Sequence, residues 1–237
     1  MLNQVNHWLE IGGAAVDALL LLRIFHLKLY RTYLFITMAC VLSLLFDGVG
    51  LWYGFESREL SRFFIYSRFL YAFVFPAAAY DVWEEIRNQV ERIRRLAFFR
   101  LVSSLLLAGI FGLIIASFAA SDETVDQALL STFAIIVWAA SSTASLAFLW
   151  SMQRLVRAQK LELPRNTSVW LLFFQLSLAA EVVACFLIIV GQQFNNIVRN
   201  TLDISLDVYG ISIALWCMWR LRALPSDIPS APEKASL

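Results

Sequence analysis

Six ionisable side chains stand inside long apolar stretches of the sequence, where a charge is costly. They are Asp17, Asp47, Arg68, Glu181, Asp203 and Asp207. Membrane-insertion scales put the cost of one such group at the centre of a spanning helix at roughly 2.5–3.5 kcal/mol. Groups of this kind therefore face the interior of a helix bundle, where they pair with one another or line the site of an ion, a proton or a polar ligand.

Arg68 is the only basic residue of the six, and its position favours one partner. Asp47 stands about six residues before the end of its apolar block, and Arg68 about seven residues after the start of the next. At about 1.5 Å per residue, both lie at a depth of roughly 10 Å. A short connection joins the two blocks, so we predict antiparallel neighbouring helices and an Asp47–Arg68 ion pair, with Asp207 as a second partner.

Small or hydroxyl-bearing residues share a helical face with most of the carboxylates. Gly13, Ser43 and Ser177 stand four residues before Asp17, Asp47 and Glu181, and Gly210 stands three residues after Asp207. Residues at this spacing lie on one face of a helix, and small ones let neighbouring helices approach closely. We therefore expect these faces to point into the bundle. Three roles remain open: a network that fixes helix register, a ligand pocket open to the outside, or a proton or cation path.

The elements that carry these residues are membrane-spanning helices by composition and length. The chain is 60% hydrophobic, with a mean hydropathy of +0.69, whereas soluble domains are about 45–50% apolar. The excess falls in blocks of roughly 20 residues, the length that crosses about 30 Å of hydrocarbon. The blocks are 8–25, 33–53, 61–82, 97–119, 127–150, 168–190 and 202–220. We predict an all-α polytopic membrane protein with seven transmembrane helices.

The connections between the blocks are too short to hold a soluble domain, so residues 1–222 are predicted to form one transmembrane bundle. Residues 223–237 are rich in Pro, Ser and Ala and are predicted to be a disordered cytoplasmic tail. The N-terminal segment has no basic stretch before its apolar block, so it does not resemble a cleaved signal peptide.

Basic residues are sorted to one side of the predicted membrane. Fifteen of the 19 Lys and Arg residues fall in one set of connections, three fall on the opposite side, and Arg68 lies within a block. The larger set is Arg23, Lys28, Arg31, Arg87, Arg92, Arg94, Arg95, Arg100, Arg154, Arg157, Lys160, Arg165, Arg220, Arg222 and Lys234. Because cytoplasmic loops carry the excess of Lys and Arg, we predict the N-terminus outside and the C-terminus in the cytoplasm.

The third block continues into a charged segment with helical periodicity. Trp83, Ile86, Val90 and Ile93 recur at helical spacing, so we predict one unbroken helix over residues 61–94 that leaves the membrane after Tyr80. Two roles are open for this extension. It lies on the lipid headgroups as an interfacial helix, or it is a docking surface for a cytoplasmic protein partner.

Stripes of small residues mark helix contacts. Ser104, Ala108, Gly112 and Ala116 recur every four residues in the fourth block, and residues 139–145 of the fifth are all small. Such stripes are typical of the seams within a bundle. The alternative for the stripe over 104–116 is the contact face of a homo-oligomer.

Several activities lack the residues that they require. No lysine stands within a block, which excludes a retinal Schiff base, and His7 and His26 are roughly 28 Å apart along one helix and cannot share a haem. The sequence contains no catalytic triad, zinc-protease motif or phosphate loop. The net charge of +1 gives no reason to expect nucleic acid. Cys40, Cys185 and Cys217 have no metal-ligand spacing and are interpreted as packing residues. We expect no catalysis, cofactor or metal.

Two segments carry a resemblance to a known group of proteins. They are residues 26–33, HLKLYRTY, and residues 80–86, YDVWEEI. Both resemble a family of uncharacterised seven-helix membrane proteins of soil-type bacteria. The resemblance implies a bacterial inner membrane. It implies no site residues, because the family has no assigned activity.

These observations favour a non-enzymatic membrane protein in contact with lipid. The leading hypothesis is a ligand-sensing module, or a cofactor-free subunit of a larger complex, that acts through a protein partner. The alternative is a small-solute or proton-coupled transporter with a polar site around Arg68, Asp47 and Glu181. A third hypothesis is a purely structural subunit of an energy-converting complex.

Overall fold

The computed structural model describes residues 2–54, 58–87, 126–190 and 196–224, and all regular structure in these residues is helical. The α-helices are α1, Leu2–His26; α2, Leu34–Tyr53; α3, Arg58–Arg87; α4, Asp126–Ala158; α5, Arg165–Val190; and α6, Asn196–Arg220. A short 3-10 helix, Leu29–Arg31, links α1 to α2. The predicted all-α class is confirmed.

Five of these helices contain a segment long and apolar enough to cross a membrane. The segments are Leu34–Tyr53, Phe63–Ile86, Phe133–Ala158, Arg165–Ile188 and Asn200–Arg220. Helix α1 is not among them, and it carries Glu10, Asp17 and Arg23 within its apolar sequence. The predicted span 97–119, with its stripe of small residues, and the predicted tail beyond residue 224 lie outside the described residues.

The helices form a ring in chain order. Each described helix packs against the next, α6 closes the ring by packing against α1, and α3 also touches α5 across it. Short connections and hydrogen bonds bring one end of every helix together: the C-terminal ends of α1, α3, α4 and α6 and the N-terminal ends of α2 and α5. Helices α3 and α4 therefore run parallel.

A proline in α3 creates the polar contact that joins α3 to α4. Pro76 lies inside α3 and has no backbone N–H, so it cannot donate to the carbonyl of Ala72 one turn earlier. The Ser141 hydroxyl of α4 donates to that carbonyl instead, at 2.6 Å. Ser141 belongs to the small-residue run over 139–145, and Ser142, Ala144 and Ser145 of this run are also buried. The run forms a seam between helices, as its composition predicts.

At the end where the helix termini meet, polar contacts join the helices. We call this set of contacts, made by Arg23, Tyr33, Asp81, Asn166 and Thr167, the polar clamp. The Asp81 carboxylate of α3 accepts a hydrogen bond from the backbone N–H of Ile36 at 3.0 Å, in the first turn of α2. The free N–H groups of a helix N-terminus carry partial positive charge, so a carboxylate there stabilises the helix. Asp81 thus caps α2 from a neighbouring helix.

The clamp extends to α5 and α6. The Tyr33 and Thr167 hydroxyls share a hydrogen bond of 3.2 Å. The Asn166 side chain donates to the carbonyl of Arg222 at 2.7 Å and accepts from its N–H at 3.0 Å. Arg23 donates to the carbonyl of Leu221 at 3.3 Å. Burial raises the pKa of Tyr33 well above its usual range, which keeps the hydroxyl protonated and able to donate.

The clamp corrects one prediction about α3. The helix is continuous to Arg87, and residues 88–94 of the predicted extension lie outside the described residues. Trp83 and Ile86, predicted to form an interfacial or docking face beyond the membrane, are only 6% and 4% exposed. Both side chains belong to the core cluster, and Asp81 in the same part of α3 contacts the first turn of α2. The prediction was wrong for these residues because helical periodicity does not reveal what covers an apolar face.

Candidate functional site

A cavity of about 510 Å³ lies between α1, α2, α3, α5 and α6. Its lining residues fall within residues 9–20 of α1, 39–47 of α2, 71–75 of α3, 173–184 of α5 and 206–214 of α6. These segments occupy the middle of the bundle and the half away from the polar clamp. Asp207 is exposed and also lines the cavity, so the cavity opens to the surface of the described bundle beside α6.

Carboxylates dominate the polar part of the lining. They are Glu10, Asp17, Asp47, Glu181 and Asp207. No Lys, Arg or His side chain is among the described residues that line the cavity. Gly13, Ser43, Ser177 and Gly210 line it too, which places the small and hydroxyl-bearing residues beside the carboxylates with which they share a face. The cavity is therefore strongly acidic when its carboxylates are ionised.

Asp17 is held in place from the neighbouring helix. The Ser43 hydroxyl of α2 donates a hydrogen bond to the Asp17 carboxylate at 2.5 Å. This contact joins α1 to α2 and holds the Asp17 carboxylate in the cavity wall.

Glu181 is the carboxylate that α5 contributes to the lining. It lies on α5 among Phe174, Ser177 and Ala184 in the lining, and within the described residues it forms no hydrogen bond. Its charge attracts the Arg68 guanidinium more than any other described carboxylate does. The two residues form no direct ion pair within 4.0 Å in the described structure.

Arg68 is enclosed by aromatic rings. Its guanidinium carbon lies 3.9 Å from the centre of the Trp138 ring and 4.2 Å from that of Phe64. The rings of Phe46 and Tyr71 are each 5.4 Å away. The electron-rich faces of such rings attract a cation. The buried Nε of Arg68 has no hydrogen-bond partner, so these four rings, which we call the aromatic cage, supply much of its environment.

The predicted ion pair between Arg68 and Asp47 is absent. In the described part of the chain, Arg68 forms no ion pair within 4.0 Å with Asp47 or Asp207. The reason lies in helix geometry: Phe46 turns its ring towards the guanidinium, and the next residue on a helix points about 100° away. Asp47 therefore faces the cavity. Matched depths along two helices did not specify which faces meet.

The structure divides the six predicted polar residues into three groups. Asp17, Asp47, Glu181 and Asp207 line one cavity. Arg68 lies behind the wall in its aromatic cage. Asp203 is exposed, one turn before Asp207, and does not line the cavity.

Two parts of the site were missed from the sequence. Glu10 stands seven residues before Asp17, two turns along the same helical face, and that spacing could have indicated it. Trp138 stands in the middle of an apolar span, away from the interfacial positions that tryptophan favours in membrane helices. Its mid-span position was the signal for the aromatic cage. No sequence pattern indicated Phe46 or Phe64 as its other members.

The arrangement can hold a small ligand in the cavity. The lining combines carboxylates with aromatic and aliphatic side chains. Among the described residues, no three His, Cys, Asp or Glu side chains are grouped closely enough to hold a metal ion. Comparisons with protein-family models, with curated proteins and with solved structures find no match.

Proposed function

We propose that the protein is a non-enzymatic membrane module that binds a small ligand in the acidic cavity and acts through a protein partner. The observation that carries this proposal is a cavity of about 510 Å³ that opens at one side of the bundle, whose opposite end is joined by the polar clamp. Pockets of this size between helices are typical ligand sites. Hydrogen bonds that hold the helices together at one end favour binding over an open channel.

The proposed setting is a bacterial inner membrane crossed by seven helices, with the N-terminus outside. Described basic residues collect at the clamp end, among them Arg31, Arg157, Lys160 and Arg165, and this supports a cytoplasmic clamp. Helices α3 and α4 run parallel, as the third and fifth helices of a seven-span protein must. In this orientation the cavity faces outward.

The clamp offers a route from the cavity to a cytoplasmic partner. Helices α1, α2, α5 and α6 all line the cavity, and all reach the clamp. A ligand that moves α6 against α5 would strain the paired hydrogen bonds of Asn166 with Arg222. The proposed output passes through the clamp to a partner, either another protein or a second copy.

The test is a thermal-stability screen of the purified protein against a panel of charged and neutral small solutes. Binding to the folded state raises the melting temperature in proportion to the logarithm of ligand concentration. Co-purification from native membranes, with and without an active solute, then tests the partner. A panel with no active solute would refute ligand binding, and an unchanged set of co-purified proteins would refute signalling through a partner.

A proton-coupled transporter is the second candidate, and one observation favours it. Asp17 and Glu181 lie near the middle of their helices in a cavity whose described lining has no basic residue, an arrangement found in proton and cation carriers. Reconstituted vesicles separate the two candidates. Solute uptake that dissipates an imposed pH gradient requires the clamp to open and supports transport. Binding without uptake supports the sensor.

A further inference from the structure

We propose that the ligand is an organic cation, an ammonium group that carries apolar substituents. This inference rests on the proposed function, because it assigns a ligand class to the same cavity. It depends on three features of the cavity. They are the charge of its lining, the absence of a described hydrogen-bond donor to Glu181, and the aromatic and aliphatic side chains of its walls.

The charge of the cavity is the first feature. Five carboxylates line it, and no basic side chain among the described lining residues balances them. Carboxylates crowded in a low-dielectric space repel one another, and either protons or a bound cation must offset the repulsion. A cationic ligand offsets it directly, whereas an anion would add to it. An acidic cluster alone does not define a site, so the other two features are needed.

Glu181 is the second feature. It lies partly exposed in the cavity wall, and among the described residues no donor satisfies its carboxylate. Burying such a group without a hydrogen bond or a counter-ion is costly. Arg68 is its strongest electrostatic partner but is held behind the wall by the aromatic cage. The carboxylate therefore faces a space that a donor or a cation can enter.

The walls are the third feature, and they favour an organic cation over a metal ion. Phe46, Tyr71, Phe75, Phe173 and Phe174 line the cavity together with aliphatic side chains. Aromatic faces attract ammonium groups, and apolar walls favour alkyl substituents. A metal ion needs several ligands at short range, and the described residues offer no such group. The adjacent aromatic cage already holds one organic cation, the guanidinium of Arg68.

The experiment compares two probes of nearly the same shape. Choline and 3,3-dimethylbutan-1-ol differ by a quaternary nitrogen in place of a carbon, so only one of them is charged. Both are titrated into the purified wild-type protein in detergent at constant ionic strength, with sodium chloride as the balancing salt. A series from tetramethylammonium to tetrabutylammonium is run beside them. We expect at least one ammonium ion to raise the melting temperature in a saturable way, and the alcohol to have no effect at the same concentration.

Variants then locate the site for whichever ammonium ion binds. Glu181→Gln and Asp17→Asn keep the side-chain size and remove a charge from the cavity, and each is expected to raise Kd at least tenfold. Glu162→Gln is the matched control, because Glu162 is exposed in the loop between α4 and α5, outside the cavity. It should leave Kd unchanged. The wild-type probe comparison does not depend on whether the variants fold.

The outcomes separate the inference from the function on which it rests. Equal stabilisation by the alcohol, or stabilisation by sodium alone, overturns the organic-cation assignment but leaves ligand binding in place. The same holds if the ammonium series is inactive and a neutral solute binds, or if Kd is the same in all three variants. If neither the ammonium series nor the wider solute panel binds, the proposed function falls together with the inference.

Discussion

The Arg68 guanidinium is surrounded by four rings, with Trp138 and Phe64 the nearest, at 3.9 Å and 4.2 Å from ring centre to guanidinium carbon. A cation–π contact contributes about 0.5–1 kcal/mol at an exposed site and about 2 kcal/mol or more when desolvated. Several such contacts offset much of the cost of placing a guanidinium in an apolar bundle. The cage therefore explains how a charge is retained here without an adjacent carboxylate.

Double-mutant cycles distinguish the cage from an ion pair. We expect Arg68→Leu and Trp138→Leu to couple by about 1–2 kcal/mol, because each removes the partner of the other. Arg68→Leu and Asp47→Leu should be additive within about 0.5 kcal/mol, because the two side chains face different spaces. The measurement is the free energy of unfolding of the detergent-solubilised variants. Strong coupling between Arg68 and Asp47, with no coupling between Arg68 and Trp138, would contradict the aromatic cage and support the predicted ion pair.

Two helices depend on side chains of their neighbours for backbone hydrogen bonds. In α3, Pro76 removes the donor for the carbonyl of Ala72, and Ser141 of α4 replaces it. In α2, Asp81 of α3 accepts from the N–H of Ile36. Backbone groups in lipid must be satisfied within the protein, so both contacts fix how the helices pair.

Ser141→Ala should destabilise the protein by about 0.6 kcal/mol, the average for interhelical hydrogen bonds measured in a membrane, and by no more than about 1.7 kcal/mol, the largest value. The neighbouring Ser142→Ala is a matched control. The Ser142 hydroxyl is buried without a hydrogen-bond partner, so its removal should be neutral or stabilising. In a Pro76→Ala background, the backbone N–H of residue 76 donates to the carbonyl of Ala72. The loss of stability caused by Ser141→Ala should then be smaller. If Ser141→Ala destabilises the protein equally in both backgrounds, the Ser141 hydroxyl does not replace the N–H that Pro76 lacks.

Asp81→Ala should cost about 0.5–2 kcal/mol, since it removes the cap of α2. Asp81→Asn keeps an acceptor oxygen and loses only the interaction of the charge with the helix terminus, about 0.3–1 kcal/mol. The smaller loss in Asp81→Asn, measured by thermal unfolding, is the signature of capping. If both variants lose the same amount, the charge of Asp81 matters and its hydrogen bond does not.

At the scale of the whole molecule, the helices close into a ring whose two ends differ. One end carries the polar clamp and most of the described basic residues, and the cavity lies towards the other. Exposed tryptophans lie near both ends: Trp8 and Trp52 towards the cavity end, Trp150 and Trp219 towards the clamp. Tryptophan favours the two membrane interfaces, so these positions mark the edges of the apolar belt.

Much of this arrangement follows from sequence periodicity. The apolar blocks gave all five membrane-length helices, and residues four apart placed Gly13 with Asp17 and Ser43 with Asp47 on cavity-facing surfaces. The sequence does not show how each helix is rotated about its own axis relative to its neighbours. Phe46, rather than Asp47, meets Arg68 because of a 100° difference along α2, which a comparison of depths does not detect.

The sequence also does not show whether a tryptophan near the end of a span is buried or lies at the membrane interface. Trp83 and Trp170 stand near predicted span ends, where the sequence favours an interfacial position, yet both are buried. Trp170 contacts the ring of Tyr33 at the clamp, and Trp83 contacts the ring of Tyr80 within the core cluster. A ring that is apolar on its faces suits either the membrane interface or a covered core. Only the tertiary structure decides between the two.

The topology is tested by labelling from outside the cell. In a cysteine-free variant, single cysteines replace Asp122 and Lys160, and intact cells are treated with a membrane-impermeant thiol reagent. Seven spans with the N-terminus outside place position 122 outside the cell and the α4–α5 connection, which holds Lys160, in the cytoplasm with the clamp. We expect the reagent to label position 122 alone, and position 160 to react only after the cells are opened.

Lys160 is a suitable reporter because it is exposed and already has a positive φ of 53° as a non-glycine residue, so cysteine adds little strain there. The acid-rich connection at position 122 is a second, independent reporter of the opposite side. Labelling of both positions in intact cells would contradict an odd number of crossings between them. Labelling of position 160 alone would keep the helix count but invert the molecule, and the acidic cavity would then face the cytoplasm.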